Sequence, residues 1–408
     1  DMRYLTAEIE RVAEEKQKMV FISGPRQSGK TTLVQAFLKQ HHGENGYYNW
    51  DIDTHRRKII KDPVDFWRGN AQAAEKPYLV LDEIHKYPRW KRFLKGLFDA
   101  NKDAVKIMVT GSGRLDIYQR GGDSLLGRYF LYRLHPFSVG ELIARDGKSI
   151  RHPDQAMSLI LKGSVPAGAQ TALERIDRFT GFPEPLFKGT MQDLNQWLRT
   201  YHTAIIREDI RDLTHIREIG LIDTMVEMLP PRIGSPLSLN SLREDLGVAF
   251  GTVRLWLQAL ARLYYLFELR PYSVRLSRAL RHEGKYYLFN GTGIENPGAR
   301  FENLIALHLR KAVDAWNDFG FGKFDLYYLR DKEKREVDFL VTLKRQPYIM
   351  VETKLSDTEP AAALKYFSDR LKPRYVFQVV GNAPESMITQ PKRGIFVASA
   401  ARFLSVLP

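Results

Sequence analysis

Short, largely apolar runs of four or five residues recur along the first third of the chain. They lie at 19–23, 47–50, 78–81, 106–110 and 129–132. Each run is too short for a helix, so each predicts a buried strand. Residues 32–38, soon after the first run, place apolar side chains at helical spacing. Strands that alternate with helices predict a five-stranded, mostly parallel sheet of the α/β class.

A glycine-rich turn joins the first predicted strand to the first predicted helix. It reads G-x-x-x-x-G-K-T from Gly24 to Thr31. Such a turn points backbone N–H groups and a helix N-terminus at a polyphosphate, which Lys30 can reach while the Thr31 hydroxyl binds Mg²⁺. We therefore expect ATP and Mg²⁺ as cofactors. The predicted nucleotide-binding residues are Gly24, Pro25, Arg26, Gln27, Ser28, Gly29, Lys30, Thr31 and Thr32.

Two carboxylates end the third predicted strand, where an open α/β sheet faces its ligand. Asp82 can hold Mg²⁺ together with the P-loop threonine, and Glu83 can orient and deprotonate the attacking water. At the end of the neighbouring strand, Thr110 and Ser112 are candidates for sensing the γ-phosphate or the water. The alternative for both is a plain turn residue. These side chains predict an ATP hydrolase with Glu83, Lys30 and Ser112 in catalytic roles.

Four segments in order resemble the AAA-type ATPase domain of a large prokaryotic family, in which a region of unknown function follows the ATPase. They read GPRQSGKTTL, YLVLDEIHKYPRW, VTGSGRLDI and SLLGRYFLYRLHPFSVGEL. The resemblance covers nearly the whole chain. It implies that Arg128 meets the nucleotide, within its own subunit or across the interface of a homo-oligomer. Arg114 is the other candidate for this role. The alternative for both arginines is that each is only a surface cation.

The middle of the chain has the pattern of a helix-turn-helix. Residues 239–247 predict a helix closed by glycine, 248–251 a turn and 252–265 a second helix. The runs 266–270 and 286–289 would then form a β-wing, giving a winged helix. Such modules also serve purely for protein packing, and the strongly apolar second helix fits that alternative.

Positive charge suggests a polyanionic partner. The chain of 408 residues has a net charge of +14, spread over both of its halves, which favours nucleic acid, DNA first. Between Arg254 and Lys285 there are seven Lys and Arg against two Asp and Glu, as on a phosphate-tracking surface. The predicted nucleic-acid-binding residues are Arg275, Arg278 and Arg281.

The composition points to a cytoplasmic protein without a membrane partner. The chain has no cysteine, which excludes disulfides and thiolate metal sites and suits a reducing compartment. No apolar run approaches the roughly 18–20 residues that span a bilayer. We therefore expect a soluble, intracellular chain.

The last third carries a second group of chemically active residues. Glu302 begins an amphipathic helix, Asp338 lies on a predicted strand, and Glu352 and Lys354 share one face of the next. This order resembles the PD-(D/E)XK nuclease core, with Val337 in place of the motif's proline. Asp338 and Glu352 could share a divalent ion while Lys354 positions water. The alternative is a fold that only binds or packs. Asn290 stands where the ATPase family usually has aspartate.

Together these features predict an α/β multidomain protein. A P-loop AAA-type ATPase domain at 1–165 precedes a helical and winged-helix domain at 170–285 and a nuclease-like α/β domain at 286–408. The leading function is Mg²⁺-dependent ATP hydrolysis coupled to binding, remodelling or cleavage of nucleic acid, in repair or defence. The alternative is an ATP-gated switch or assembly protein whose nuclease-like domain is inactive.

Overall fold

A computed structural model describes residues 3–70, 76–111, 125–144, 150–210, 219–273, 283–392 and 394–408. Their contacts divide the chain into two compact units. Among the described residues, those up to Pro136 form the first unit and those from Phe137 onward form the second. Among the described residues, no helix is long and apolar enough to cross a membrane.

The first unit is an α/β sheet layer with helices around it. Its helices are α1 Thr6–Glu15, α2 Lys30–Gln40, α3 Asp53–Lys61 and α4 Trp90–Asn101. Its strands are β1 Met19–Ser23, β2 Tyr47–Asn49, β3 Tyr78–Asp82, β4 Lys106–Thr110 and β5 Tyr129–Arg133.

All five strands are parallel and stand in the order β2-β3-β4-β1-β5. Every residue of β1 and of β3 is buried, as a sheet covered on both faces requires. The prediction of a five-stranded parallel sheet is confirmed. Asn49, Asp82 and Thr110 are register partners on adjacent strands, so three polar side chains meet at the carboxyl edge of the sheet.

An aromatic core fixes one face of this sheet. Phe21 stacks on Tyr129 with ring centroids 4.3 Å apart, and Trp50 stacks on Tyr87 at 4.6 Å. Trp90, on α4, is 5% exposed and belongs to the same cluster. Large rings interlocked in this way hold the strands in register, so the polar residues at the strand ends keep fixed positions.

The second unit combines helices, a strand pair and a mixed sheet. Its helices are α5 Val139–Ile143, α6 Pro153–Lys162, α7 Ala169–Phe179, α8 Pro183–Lys188, α9 Met191–Thr203, α10 Ile219–Glu227, α11 Leu239–Leu246, α12 Phe250–Arg262, α13 Pro297–Asp318, α14 Ala362–Leu371 and α15 Ala400–Leu404. Its strands are β6 Leu266–Leu269, β7 Lys285–Leu288, β8 Phe324–Arg330, β9 Glu336–Leu343, β10 Gln346–Lys354, β11 Tyr375–Val380, β12 Ile388–Lys392 and β13 Ile395–Ser399.

The predicted helix pair of the middle segment is present. α11 ends at Leu246, and the left-handed φ of 66° at Gly247 closes the helix. α12 begins at Phe250, two residues before the predicted start. β6 and β7 then pair antiparallel, where the wing was expected.

The C-terminal sheet has six strands in the order β12-β13-β11-β10-β9-β8. β9 pairs antiparallel with both β8 and β10, while β11 runs parallel to β10 and β13. The long helix α13 packs against β8, β9 and β10, so a residue near its start can approach the strand ends. The helix and the three strands predicted around the last-third motif are all present.

The two compact units differ from the three predicted domains. α13 packs against β7 of the middle segment as well as against the C-terminal sheet. β6 also contacts β8, so the middle and the last segment share one body of contacts. The division of these two segments into separate domains remains a prediction.

Candidate functional site

The P-loop takes a conformation that requires glycine. Gly24 has a φ of 148°, and a Cβ there would lie 2.3 Å from the Leu134 carbonyl oxygen. Gly29, immediately before α2, has a φ of 91°. Because a side chain at either position would strain the backbone, the two glycines shape the loop that follows β1.

Lys30 folds back onto this loop. Its ammonium donates hydrogen bonds to the carbonyl oxygens of Pro25 at 2.6 Å and Gly24 at 3.1 Å. Lys30 is also the first residue of α2, where backbone N–H groups lack helical acceptors. The loop thus gathers an ammonium and a helix N-terminus in one place, which suits a polyphosphate.

Asp82 is the centre of the polar edge. It is 2% exposed, and its Oδ2 accepts hydrogen bonds from the hydroxyls of Thr31 at 2.8 Å and Tyr47 at 2.7 Å. The Thr110 hydroxyl donates to Oδ1 of the same carboxylate. Hydrogen bonds from three hydroxyl groups fix the orientation of this buried carboxylate.

Glu83 has an unusual backbone conformation. Its φ of 56° is left-handed, which is rare for a residue with a side chain and occurs often at functional sites. Burial raises the pKa of Glu83, and the positive charges of Lys86 and Lys30 partly offset that effect. The Lys86 ammonium lies 3.4 Å from its carboxylate. A raised pKa brings a carboxylate closer to the range of a general base.

The residues at this edge fit a magnesium ion. Mg²⁺ prefers hard oxygen ligands, typically one or two carboxylates together with substrate phosphates. The Thr31 hydroxyl and the Asp82 carboxylate are already adjacent at 2.8 Å. The structure thus brings together Lys30, Thr31, Asp82 and Glu83 on the P-loop side of the sheet, as the sequence predicts.

Arg128 does not join them. It pairs with Asp99, its Nε and Nη2 lying 2.8 and 3.0 Å from the two carboxylate oxygens. Tyr129 is in register with Met19 at the start of β1, whereas the P-loop follows the other end of β1. The prediction that Arg128 contacts the nucleotide of its own subunit is therefore wrong. Arg128 lies where the parallel strands begin, whereas the P-loop lies where they end. The contact across a subunit interface remains a prediction.

Some predicted site residues lie outside the described ranges. They are Ser112, Arg114, Arg275, Arg278 and Arg281. Lys285 belongs, with Arg275, Arg278 and Arg281, to the run of cations that the sequence predicts to face phosphate. The structure contradicts that role, because Lys285 is 0% exposed.

Lys285 lies within a group of acidic side chains that we call the carboxylate cluster: Glu302, Glu336, Asp338 and Glu352. Its ammonium is 2.6 Å from Glu336, 3.0 Å from Glu302 and 3.8 Å from Asp338. Burial alone would lower the pKa of Lys285, but these carboxylates outweigh it and raise the pKa. The predicted residues Glu302 and Asp338 thus converge, around a lysine.

The other predicted residues of this region are also close. Asp338 accepts hydrogen bonds from the Thr353 N–H at 2.8 Å and hydroxyl at 2.6 Å. Lys354 donates to Glu352 at 2.7 Å. Burial and the nearby charge of Asp338 raise the pKa of Glu352 to about 7 and that of Glu302 to about 8. Desolvation is the larger cause in both.

This arrangement does not fit a divalent ion. Among the described residues, no group of three or more acidic or histidine side chains is placed to hold a metal. An ammonium stands instead beside three of the carboxylates. The metal roles of Asp338 and Glu352 therefore remain predictions that the present geometry does not favour.

Asn290, the position that departs from the ATPase family, accepts hydrogen bonds from the backbone and hydroxyl of Thr292.

Three participating side chains were missed from the sequence. Tyr47 lies two residues before Asn49 and so shares its face of β2, a signal that could have placed it beside Asp82. Glu336 has the same spacing from Asp338 on β9. Lys285 gave no such signal, because its partners come from α13 and β9, further along the chain.

Family models match three successive parts of the chain. Residues 16–143 match the model of a family described as "AAA domain". Residues 172–295 and 297–390 match two models described as "Domain of unknown function (DUF8612)" and "Domain of unknown function (DUF4143)". Together with the parallel sheet and its P-loop, the first match supports an AAA-type ATPase domain at the N-terminal end. The match covers less than half of the chain.

Similar proteins are themselves uncharacterized. One from Mycobacterium tuberculosis is 23% identical over 346 residues, covering 83% of this chain and 70% of that protein. One from Methanocaldococcus jannaschii is 24% identical over 285 residues, covering 64% of this chain and 59% of that protein. Similarity to these two proteins therefore does not indicate a function for this chain.

Solved structures give only distant similarity. A signal transduction ATPase with numerous domains (STAND) and a tetratricopeptide repeat sensor, from Pyrococcus horikoshii, aligns with a TM-score of 0.26 and 12% identity, over 77% of this chain and 47% of that chain. Cdc6p from Pyrobaculum aerophilum aligns with a TM-score of 0.24 and 12% identity, over 75% and 93%. Superpositions at these scores give no basis for assigning a function.

Proposed function

We propose that the N-terminal unit hydrolyses ATP with Mg²⁺ at the carboxyl edge of its parallel sheet. The observation that carries this proposal is the group formed by Lys30, Thr31, Asp82 and Glu83 after β1 and β3. Each of the four is a residue type that phosphoryl transfer to water uses. The AAA domain match of residues 16–143 supports the same conclusion.

The proposed roles follow from the positions of the side chains. Lys30 leaves its two carbonyl partners and binds the phosphates, while the P-loop N–H groups hold the phosphate oxygens. Thr31 and Asp82 would hold Mg²⁺, which neutralises phosphate charge when bound. Glu83 accepts a proton from the attacking water, and its partly buried position raises the pKa toward that role.

Nucleotide binding tests the proposal directly. Lys30→Ala removes the buried ammonium from the loop, so ATP affinity should fall by about 100-fold or more, given charge-assisted contacts of about 1.5–3 kcal/mol each. The measurement is binding of fluorescent ATP by the full chain. Lys39→Ala, an exposed lysine on the same helix, is the matched control and should bind normally. Equal affinity in the two variants would place the nucleotide elsewhere.

We further propose that the chain binds nucleic acid. The support is the net charge of +14 and the pair α11–α12 followed by the antiparallel strands β6 and β7. Arg254 and Arg262 on α12 are exposed and could face phosphates. Phosphate contacts release counterions, so binding should weaken steeply with salt.

Charge reversal tests this second proposal. A chain with Arg275, Arg278 and Arg281 all changed to Glu should bind duplex DNA more weakly and with a shallower salt slope. A chain with Arg57, Lys58 and Lys61 changed to Glu, three exposed residues of α3, makes the same change of charge at another place. Equal loss in both chains would reduce the effect to net charge, and no loss in either would remove nucleic acid from the account.

The alternative function is an ATP-gated switch that assembles with a protein partner. Two observations favour it specifically. Leu255 and Phe250 on α12 are 62% and 44% exposed, as on a protein-binding surface. The carboxylate cluster holds a buried lysine, which does not suit metal-dependent cleavage. An ATPase rate that ignores DNA and RNA would favour the switch over a nucleic-acid-coupled enzyme.

A further inference from the structure

We propose that the Lys285 ammonium takes the place of a divalent cation in the carboxylate cluster. The native cluster would then be closed to Mg²⁺ and Mn²⁺, and the C-terminal sheet would hold its acidic residues together by an internal cation. This inference concerns the second unit alone and is independent of ATP hydrolysis.

The position of the ammonium carries the inference. Lys285 Nζ lies within 3.8 Å of oxygens from three carboxylates, on α13 and β9. Lys285 comes from β7, so three separate elements, β7, α13 and β9, meet at one ammonium. A metal that bridged Glu302 and Asp338 would have to stand close to this ammonium, and two cations so close repel each other strongly in a water-poor site.

Burial makes the ion pairs between Lys285 and its carboxylates costly to break. Lys285 is 0% exposed, and the side chains of Glu302 and Asp338 are each 13% exposed. A buried ammonium is costly unless carboxylates surround it, and buried carboxylates are costly without a cation. The lysine and its partners therefore depend on each other, and a metal could enter only by displacing the ammonium into a worse environment.

The remaining ligand atoms are largely occupied. The Tyr287 hydroxyl donates to Glu302 at 2.6 Å, and Thr353 donates twice to Asp338. Glu352 Oε1 accepts from Lys354. Glu352 Oε2 is buried and lacks a hydrogen-bond partner in the described part of the chain.

The inference predicts that deleting the lysine charge creates a metal site. Lys285→Met keeps much of the side-chain length and leaves the carboxylates without their cation. Full-length chains would be compared in an Asp82→Asn background, which removes the carboxylate at the end of β3 in the N-terminal unit. Free Mn²⁺ would be followed by electron paramagnetic resonance without nucleotide. Lys285→Met should bind one Mn²⁺ about tenfold more tightly or better than the chain with lysine.

Three matched variants identify the site. Lys285→Arg keeps a cation, so Mn²⁺ binding should not rise. Lys332→Met removes an exposed lysine from the turn before β9 and should change nothing. Asp338→Asn added to Lys285→Met should abolish the new binding, because it removes a central carboxylate.

Two results would overturn the inference. One is a chain with Lys285 intact that binds Mn²⁺ and loses it on Asp338→Asn. The other is a folded Lys285→Met chain without added affinity. If Lys285→Met folds only with Mn²⁺, as circular dichroism would reveal, the inference is supported. If Lys285→Met does not fold at all, the test rests on the chain that keeps Lys285. The absence of an Asp338-dependent Mn²⁺ site in that chain supports the inference, and the presence of such a site overturns it.

Discussion

At the scale of single residues, hydroxyl groups around Asp82 organise the N-terminal site. Thr31, Tyr47 and Thr110 all donate to its carboxylate. Lys30 and Asp82 could be predicted from the sequence because each stands in a short local pattern. Tyr47 is harder to assign, because its spacing from Asn49 becomes informative only once β2 and β3 are known to lie side by side.

Thr110→Val should weaken magnesium use. The change keeps the shape of the side chain but removes the hydroxyl that orients Asp82. Outer partners of metal ligands typically contribute about 10–100-fold in affinity, so the Mg²⁺ concentration for half-maximal turnover should rise about tenfold. Thr54→Val, at an exposed position of α3, is the control. An unchanged Mg²⁺ requirement in Thr110→Val would mean that Asp82 does not meet the metal.

Lys86→Ala should move the acid limb of the rate profile. In the proposed mechanism turnover requires deprotonated Glu83, so activity should fall as pH drops through its raised pKa. Lys86 lowers the pKa of Glu83, and its removal should shift the acid limb to higher pH. The measurement is kcat against pH, with Lys95→Ala, an exposed lysine of α4, as control. A shift in the opposite direction would argue against Glu83 as the base.

At the scale of elements, buried polar contacts connect α13 with α5. The Val139 N–H donates to His308 Nε2 at 3.1 Å, and the ring Nδ1 lies 2.8 Å from the Leu304 carbonyl. Lys311 pairs with Glu141 at 2.6 Å, and both side chains are 3% exposed. The sequence predicts α13 from its amphipathic pattern, whereas it gives no prediction for α5. Their partnership was not predictable, because about 170 residues separate them and no local pattern records it.

His308 should make stability fall in mild acid. Burial, together with the nearby charge of Lys311, lowers the pKa of His308 from 6.5 to about 4, although the hydrogen bond to the Leu304 carbonyl raises it. Between these values the unfolded chain binds a proton that the folded chain does not, so stability is full above pH 6.5 and declines toward pH 4. The total is about 3 kcal/mol.

The check is urea unfolding of the full chain against pH. His308→Gln should be less stable overall, because the ring packing is lost, but its stability should change less between pH 6.5 and 4. Parallel curves for the two chains would show that His308 is not the group responsible.

At the scale of the whole molecule, the sequence predicted the kinds of structure better than their grouping. The parallel sheet, the helix pair α11–α12 and the strands around Asp338 appear where periodicity placed them. The division into two units did not follow, because α13 packs on both the middle segment and the C-terminal sheet. The prediction that Lys285 faces phosphate was also wrong, because this lysine is buried among carboxylates. The sequence of a predicted wing does not distinguish an exposed basic residue from a buried one.

Glu83→Gln tests the central claim most directly. The amide keeps the size of the side chain but cannot accept the proton of the attacking water. ATP binding should therefore stay within about threefold of the native chain, while single-turnover hydrolysis slows by about 10²–10⁴-fold, the usual contribution of a general base. Glu44→Gln, an exposed carboxylate of the same unit, should hydrolyse ATP at the native rate. Native turnover in Glu83→Gln would contradict the proposed site.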